Sequence, residues 1–172
     1  SSNMDEKVMK LTPFKDLAKG LAEHGIASVR YDKRSFAHGR KMLKKGDLTV
    51  REEVIEDAVL ASEHLKKDPR IDSENVFIIG HSMGAMLAPR IDAEGGNFKG
   101  LILMAGTLDT LEGVLFRQFD EMKNGKSKIM SWVASAQEKK FRKSFENLYE
   151  LSDEEAKKIP YAGGVNLYYF KE

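Results

Sequence analysis

The segment from Asn75 to Ala88 constrains the fold more than any other part of this sequence, because three patterns meet in it. It opens with the apolar run Asn-Val-Phe-Ile-Ile of residues 75–79, which is typical of a strand covered on both faces of a sheet. Residues 80–84, Gly-His-Ser-Met-Gly, then satisfy the pattern G-x-S-x-G, and small residues follow. The sequence therefore predicts a strand, a sharp turn and a helix from Ser82 to about Ala93.

The two glycines of this motif have a physical reason. A strand that turns at once into a helix holds Ser82 in a strained backbone conformation, and side chains at positions 80 and 84 would collide inside the turn. Gly80 and Gly84 remove that collision, and His81 is expected to shape the turn or the rim of a pocket. The helix behind the exposed Ser82 hydroxyl offers unpaired amides to a developing oxyanion. We expect the backbone N–H of Met83 to be that donor.

A nucleotide-binding turn is the main alternative for a tight connection between a strand and a helix. It is disfavoured because neither the glycine pattern G-x-G-x-x-G nor the lysine of a phosphate-binding P-loop occurs in the chain. The position of Ser82 between an apolar run and a helix therefore favours a catalytic turn.

The rest of the first hundred residues alternates helices with short apolar runs. A helix is predicted from Thr12 to Gly25, with a threonine cap and a first-turn proline, and a β-branched strand follows at Ile26–Tyr31. A capping box begins another helix at Thr49, and a second all-apolar strand is expected at Leu101–Met104. This alternation predicts an α/β fold, with a parallel sheet and flanking helices.

Composition excludes several classes of function. With 28 basic and 27 acidic residues, the formal charge of +1 provides no broad field to gather nucleic acid or an anionic membrane. The absence of cysteine excludes disulfides, thiolate nucleophiles and Cys-ligated zinc, and is compatible with the cytoplasm. No run approaches the roughly 18 to 20 apolar residues of a membrane span. We therefore expect a cytoplasmic protein with a small-molecule substrate and with no nucleic-acid or membrane partner.

Four stretches of the sequence point to one family. They are Ser-Val-Arg-Tyr-Asp-Lys-Arg at 28–34, Ile-Asp-Ser-Glu-Asn-Val at 71–76, the motif at 80–84 and Leu-Ile-Leu-Met-Ala-Gly at 101–106. Together they resemble the α/β-hydrolase fold, and within it the bacterial esterase-like and prolyl-oligopeptidase-like serine hydrolases. The resemblance implies that residues 1–106 are the core of an incomplete α/β-hydrolase-like fold, that residues 107–160 form an inserted helical cap or lid, and that residues 161–172 begin the return to the core.

The resemblance also implies a reaction. Ser82, on a nucleophile elbow, would attack the acyl carbonyl of a carboxylic ester, peptide or amide and form an acyl-enzyme that water hydrolyses, with no metal or organic cofactor. Two other functions stay open, which are a noncatalytic binding protein that kept the fold and an acyltransferase. Five cap residues either line an acyl or aromatic pocket or pack the cap on the core: Leu111, Leu115, Phe119, Trp132 and Val133.

The histidine base that the family requires does not follow Ser82. The family's order is nucleophile, acid and histidine, whereas all four histidines of this chain precede the serine: His24, His38, His64 and His81. His24 and His64 are expected on helix surfaces, and only His38 lies in a segment able to swing toward the site. Asp109 stands just past a strand end, where some hydrolases of this family keep the triad acid, and the favoured interpretation is a carboxylate of the loop or cap helix. We therefore expect the base and the acid to lie outside this segment, as in the central portion of a longer hydrolase.

The resemblance finally predicts an open slot in the sheet. In the family fold, a further strand lies between the strands expected here at Ile26–Tyr31 and Val76–Ile79. The strand edges left unpaired invite pairing, either with missing parts of the parent chain or with another copy.

Overall fold

Helices dominate the computed structural model, which describes residues 3–7, 9–43, 48–125, 127–161 and 165–172. Its α-helices are α1 (Pro13–Glu23), α2 (Arg34–Ala37), α3 (Gly39–Leu43), α4 (Glu56–Lys66), α5 (Met83–Ile91), α6 (Leu111–Lys123), α7 (Lys128–Phe145), α8 (Asp153–Lys158) and α9 (Tyr168–Lys171). Wider π-helical turns precede α4 (Arg51–Ile55) and follow α5 (Asp92–Gly96), and a 3₁₀ turn (Ser73–Asn75) precedes the strands, which are β1 (Phe77–His81) and β2 (Gly100–Met104). No helix within these ranges combines the length and the apolar character needed to cross a membrane.

The two strands pair in parallel, as the alternation of helices and apolar runs predicts. Their register places Phe77 opposite Gly100 and His81 opposite Met104. Helix α5 connects the strands and packs against both of them. Because parallel strands end at the same edge of a sheet, Ser82 after β1 and Ala105 after β2 lie at neighbouring positions on the carboxyl edge.

Capping signals in the sequence identify two helix starts correctly, although only one of the two expected side-chain caps forms. The N–H of Thr49 donates to the Glu52 carboxylate at 2.8 Å, and the Glu52 N–H lies 3.4 Å from the Thr49 hydroxyl, which is the reciprocal capping box. Thr12 makes no side-chain bond to α1, although Pro13 occupies the first helical turn as expected. The proline therefore suffices to mark the start of α1.

Two apolar clusters form the core, and the C-terminal segment contributes to both. The first cluster joins the start of α4 to α5 and consists of Val50, Val54, Ile55, Ala58, Ile91 and Tyr169. The second cluster consists of Phe141, Phe145, Leu148, Ala156 and Leu167. Phe170 packs against both clusters, so residues 165–172 join α7 to the helices around the sheet.

The prediction of a strand at Ile26–Tyr31 is wrong. The segment pairs with no strand among the described residues, and Ile26, Val29 and Tyr31 are 52%, 46% and 38% exposed. A strand is stabilised by a neighbour that accepts and donates its backbone hydrogen bonds. The β-branched pattern was present, but nothing in the described chain supplies that neighbour.

The expectation that the apolar strands are covered on both faces is also wrong. Phe77, Ile102, Leu103 and Met104 are between 41% and 53% exposed. Helix α5 packs on the strands, and the described residues form a sheet of only two strands, so each strand keeps an unpaired edge. The predicted slot needs a second flanking strand at Ile26–Tyr31, which is absent, so the described residues give β1 an open edge but no slot bounded on both sides.

Candidate active site

Ser82 lies between the last residue of β1 and the first residue of α5, in a strained backbone conformation. Its φ of 54° and ψ of −118° fall where residues with a side chain are rare, at a cost of about 1–3 kcal/mol. Its N–H donates to the Met104 carbonyl of β2 at 2.9 Å. Its own carbonyl accepts from Ala85 at 3.0 Å and from Met86 at 3.1 Å. The strain persists because a strand bond on one side and the first helical turn on the other fix this residue.

The Ser82 side chain is presented to solvent. The residue is exposed, and its hydroxyl forms no hydrogen bond with any residue in the described part of the chain. Met83 begins α5, so its N–H has no acceptor inside the helix and carries part of the positive end of the helix dipole. An exposed hydroxyl beside a helix N-terminus suits a nucleophile next to an anion-stabilising amide.

Glycine is required at only one of the two motif positions. A Cβ on Gly80 would lie 2.3 Å from the Gly84 carbonyl oxygen and 2.7 Å from the Ala85 nitrogen, closer than atoms can pack. A Cβ on Gly84 would meet no atom within 4 Å, so the expected collision at position 84 is absent. The crowding comes from the backbone of residue 84 closing on residue 80, because the helix begins directly after the turn.

A second tight turn supports the first one and was missed in the sequence. Ala105 follows β2 with a φ of 51°, and a Cβ on Gly106 would lie 2.9 Å from the Ala85 Cβ. The adjacent Met104 carbonyl is the one that accepts the Ser82 N–H. The small pair Ala-Gly after an apolar strand was the available signal, since only small residues permit α5 to approach this closely.

The His81 ring is held by contacts with Glu6 and Phe14. Its Nδ1 lies 3.3 Å from a Glu6 carboxylate oxygen, and its ring meets the Phe14 ring edge-on at 5.9 Å between centroids. Neither of these contacts involves the Ser82 hydroxyl. This arrangement fits the expected role in shaping the turn.

The other candidate titratable groups are likewise not bonded to Ser82. His24 Nδ1 lies 2.8 Å from the Gly20 carbonyl oxygen at the end of α1, and His38 and His64 are exposed. Asp109 forms an ion pair with Arg117. No histidine of this chain reaches the Ser82 hydroxyl, so the structure brings together the serine and the amide but not the base.

A buried polar cluster packs against the first residue of α5, and no local sequence pattern indicates it. The Tyr169 hydroxyl donates to Glu53 at 2.5 Å and lies 3.6 Å from the Met83 sulfur. Burial, together with the negative charge of Glu53 and the hydrogen bond to it, raises the pKa of the Tyr169 phenol far above its usual range. The phenol therefore remains a neutral donor at any ordinary pH.

Of the five cap residues named from the sequence, three pack against the core clusters and two do not belong to either cluster. Leu111 packs against the first cluster, and Leu115 and Phe119 pack against the second. Trp132 is 73% exposed and Val133 is half-buried.

An open cavity of about 360 Å³ includes neither Ser82 nor any of these five cap residues in its lining. It is lined by the polar residues Thr49, Arg51, Glu52, Lys157, Asn166, Tyr168 and Glu172. In the described ranges, no group of three acidic, histidine or cysteine residues is arranged to hold a metal.

Comparison with known proteins gives a family and a relative. The model of the family Hydrolase_4, described as Serine aminopeptidase, S33, matches residues 9–160. Esterase EstD of Thermotoga maritima is 41% identical to the chain over 114 residues, which are 66% of this chain and 26% of that protein. The chain thus spans about a quarter of the length of this relative. No solved structure matches the chain significantly.

Proposed function

The chain belongs to the Hydrolase_4 family and has an incomplete α/β-hydrolase fold, and from this premise we propose that the full-length protein is a serine hydrolase that cleaves carboxylic esters. One observation carries the proposal. Ser82 is exposed and strained between a strand and a helix, with the N–H of Met83 beside it. This geometry supports Ser82 as the nucleophile of a nucleophile elbow.

The reaction follows from where these groups lie. The Ser82 oxygen attacks the acyl carbon as its proton passes to a base, and the carbonyl electron pair moves onto the oxygen. The Met83 N–H and the positive end of α5 stabilise that oxyanion. When the carbonyl re-forms, the alcohol leaves with the proton from the base. Water then attacks the acyl-enzyme by the same route, which releases the acid and restores the hydroxyl.

The base and the acid are proposed to come from residues outside this segment. In the described structure, none of the four histidines forms a hydrogen bond with the Ser82 hydroxyl: His81 lies beside Glu6, His24 bonds to its own helix, and His38 and His64 are exposed. A serine hydroxyl without a base is a weak nucleophile at neutral pH. The proposal therefore assigns to this chain the nucleophile and one oxyanion donor.

Esters are favoured over amides because the relative that shares 41% identity is named an esterase. The family description names an aminopeptidase, which would act on an amide bond. Both reactions use the same nucleophile and oxyanion donor, and they differ in the leaving group that must be protonated. Assaying a p-nitrophenyl ester and the matching p-nitroanilide separates them, and the proposal expects the ester to be turned over much faster.

The decisive variant is Ser82→Ala in the full-length protein. It should reduce ester hydrolysis by at least about 10⁴-fold while leaving the circular dichroism spectrum unchanged. Ser73→Ala, which changes another exposed serine in the turn before β1, is the control and should retain activity. Hydrolysis that survives in Ser82→Ala would refute the proposal.

A noncatalytic binding protein is the second candidate, and the lack of a histidine bonded to Ser82 favours it. Under that function, wild-type protein would hydrolyse no ester and Ser82→Ala would bind its partner normally. An acyltransferase would instead release the alcohol without the free acid when an acceptor is present, which product analysis detects.

A further inference from the structure

Glu53 is a buried carboxylate that accepts hydrogen bonds from two side-chain hydroxyl groups. Its side chain lies in the π-helical turn before α4, and the residue is 8% exposed. One oxygen accepts from the Ser35 hydroxyl at 2.5 Å, and the other accepts from the Tyr169 hydroxyl at 2.5 Å. A buried carboxylate is costly unless its oxygens are hydrogen-bonded, so these three side chains are fixed relative to one another.

Tyr169 connects this carboxylate to the strained turn. Its ring is buried in the first core cluster, and its hydroxyl lies 3.6 Å from the sulfur of Met83. Met83 is the first residue of α5 and directly follows Ser82. The residue whose N–H faces the proposed oxyanion therefore has its sulfur in packing contact with a phenol oxygen whose single proton is donated to Glu53.

The same C-terminal segment also holds the other end of α5. Arg90, in the last turn of the helix, donates to the Glu172 carboxylate at 3.0 Å and to the Glu172 backbone oxygen at 3.2 Å. The Glu172 carboxylate in turn accepts the N–H of Val50 at 3.0 Å. Helix α5 is therefore fixed at its first residue by Tyr169 and near its last residue by Glu172.

The position of α5 matters because the oxyanion donor is part of its backbone. Hydrogen-bond donors stabilise a transition state only when they lie within a few tenths of an ångström of the productive position, and a misplacement of about 1 Å can cost on the order of 100-fold in rate. Because the Ser82 backbone is strained, the turn tends to move toward a conformation of lower energy. The contact of Tyr169 with Met83, the next residue, opposes that movement.

We propose that Tyr169 and Glu53 are positioning residues for the oxyanion donor, acting through the Met83 side chain, an inference that rests on the proposed hydrolase function. Neither residue contacts the reacting atoms. Tyr169 fixes Met83, Glu53 fixes the Tyr169 hydroxyl, and Ser35 completes the coordination of the Glu53 carboxylate. Loss of the phenol hydroxyl should therefore change the rate of acyl transfer more than the binding of the ester.

The test uses Tyr169→Phe in the full-length protein, with Tyr161→Phe as the matched control. Both changes remove one hydroxyl from a C-terminal tyrosine packed in the core, but the Tyr161 ring lies among Phe141, Phe145 and Phe170 and its hydroxyl has no hydrogen bond within the described residues. Glu53→Gln is a second variant that keeps the shape of the side chain and removes its charge.

Two readouts separate this inference from the proposed function. The first is the methyl resonance of Met83 in protein labelled with ¹³C-methyl methionine, which needs no catalysis. Tyr169→Phe and Glu53→Gln should shift it by more than its line width, and Tyr161→Phe should not. The second is the kinetics of ester hydrolysis, in which Tyr169→Phe should lower kcat about tenfold or more and leave KM within about twofold.

The outcomes are distinct. An unchanged Met83 resonance in Tyr169→Phe overturns the inference, and so does an unchanged kcat when the resonance has moved. Wild-type protein that hydrolyses no ester refutes the proposed function, and the Met83 resonance still decides whether Tyr169 fixes that side chain.

Discussion

At the scale of single residues, the backbone around Ser82 explains why the motif has its composition. The Ser82 N–H bonds to Met104, and Gly80 admits the backbone of Gly84 where a side chain would clash. A strained residue persists only when its surroundings fix it, and such residues cluster at functional sites. The strain at Ser82 is therefore consistent with the proposed catalytic role.

The contrast between the two glycines gives a direct prediction. Gly80→Ala should destabilise the protein by about 2–4 kcal/mol, because the new Cβ would lie 2.3 Å from the Gly84 oxygen and α5 would have to move. Gly84→Ala is the control and should be neutral or stabilising by up to about 1 kcal/mol, since it replaces a helical glycine in open space. Urea unfolding measures both. Equal free energies of unfolding for the two variants would contradict this account of the turn.

Tyr169 predicts a loss of stability at alkaline pH. Burial, the charge of Glu53 and the hydrogen bond to it raise the pKa of Tyr169 in the folded protein, whereas the unfolded chain ionises near pH 10. Above about pH 10 the unfolded state therefore binds fewer protons. The contribution of Tyr169 to the free energy of unfolding, which is constant below that pH, then falls by up to about 1.4 kcal/mol per pH unit.

Tyr169→Phe should remove this contribution and make the alkaline slope of the free energy of unfolding shallower, with a remainder from Tyr31, whose pKa burial raises to about 12. Denaturant titrations of wild type and variant between about pH 8 and pH 12 measure the difference. A variant with the same alkaline slope as wild type would show that Tyr169 does not keep its proton in the folded state.

Residues that act through local geometry could be predicted from the sequence, and residues that act through long-range contacts could not. The motif around Ser82 occupies five consecutive positions, and its turn follows from them. Glu53 and Tyr169 are 116 positions apart, and neither has a local pattern that marks it as a partner of Met83. Only the folded chain brings them together.

At the scale of elements, helices were easier to predict than strands. Capping residues and apolar spacing lie within the helix they define, as at Thr49, and three helices of the described chain lie in residues 107–160, where the family resemblance implies a helical segment. The segment Ile26–Tyr31 has a strand composition but no described partner, so it remains outside the sheet. Strand formation depends on a neighbour that local sequence does not reveal.

The open sheet predicts that the 172-residue chain, studied alone, associates with itself. Leu103 lies on the exposed strand β2 and is 52% exposed, so Leu103→Lys should place a charge on this surface and reduce association at least about fivefold. Leu60→Lys, on α4 and 58% exposed, is the matched control and should change association little. Sedimentation velocity over a range of concentrations compares them. Equal reduction by both variants would assign the association to general surface polarity instead of the sheet.

At the scale of the whole molecule, the family relationship and the geometry around Ser82 both support the proposed serine hydrolase. The family model covers residues 9–160, and the relative matched here is an esterase of which the chain spans about a quarter. Within that span lie the serine, the strained turn and the helix N-terminus. The strand, the turn and the helix around Ser82 were predictable from sequence, whereas the supporting contacts of residues 165–172 were not.

A consequence at this scale concerns the 172-residue chain itself. With no histidine bonded to Ser82, its reaction with a fluorophosphonate should be at least about 10³-fold slower than that of the full-length protein, because loss of the base removes several powers of ten in rate. Time courses of labelling under identical conditions compare the two. Equally fast labelling would mean that this chain contains a base that the structure does not place near Ser82.

Locating the acyl group during turnover shows directly whether Ser82 is the nucleophile. Full-length protein is mixed with a p-nitrophenyl ester, quenched during the initial burst and digested, and the modified peptide is identified by mass spectrometry. The account predicts an acyl group on Ser82 that disappears in Ser82→Ala. An acyl group on any other residue, or ester hydrolysis that continues undiminished in Ser82→Ala, would contradict it.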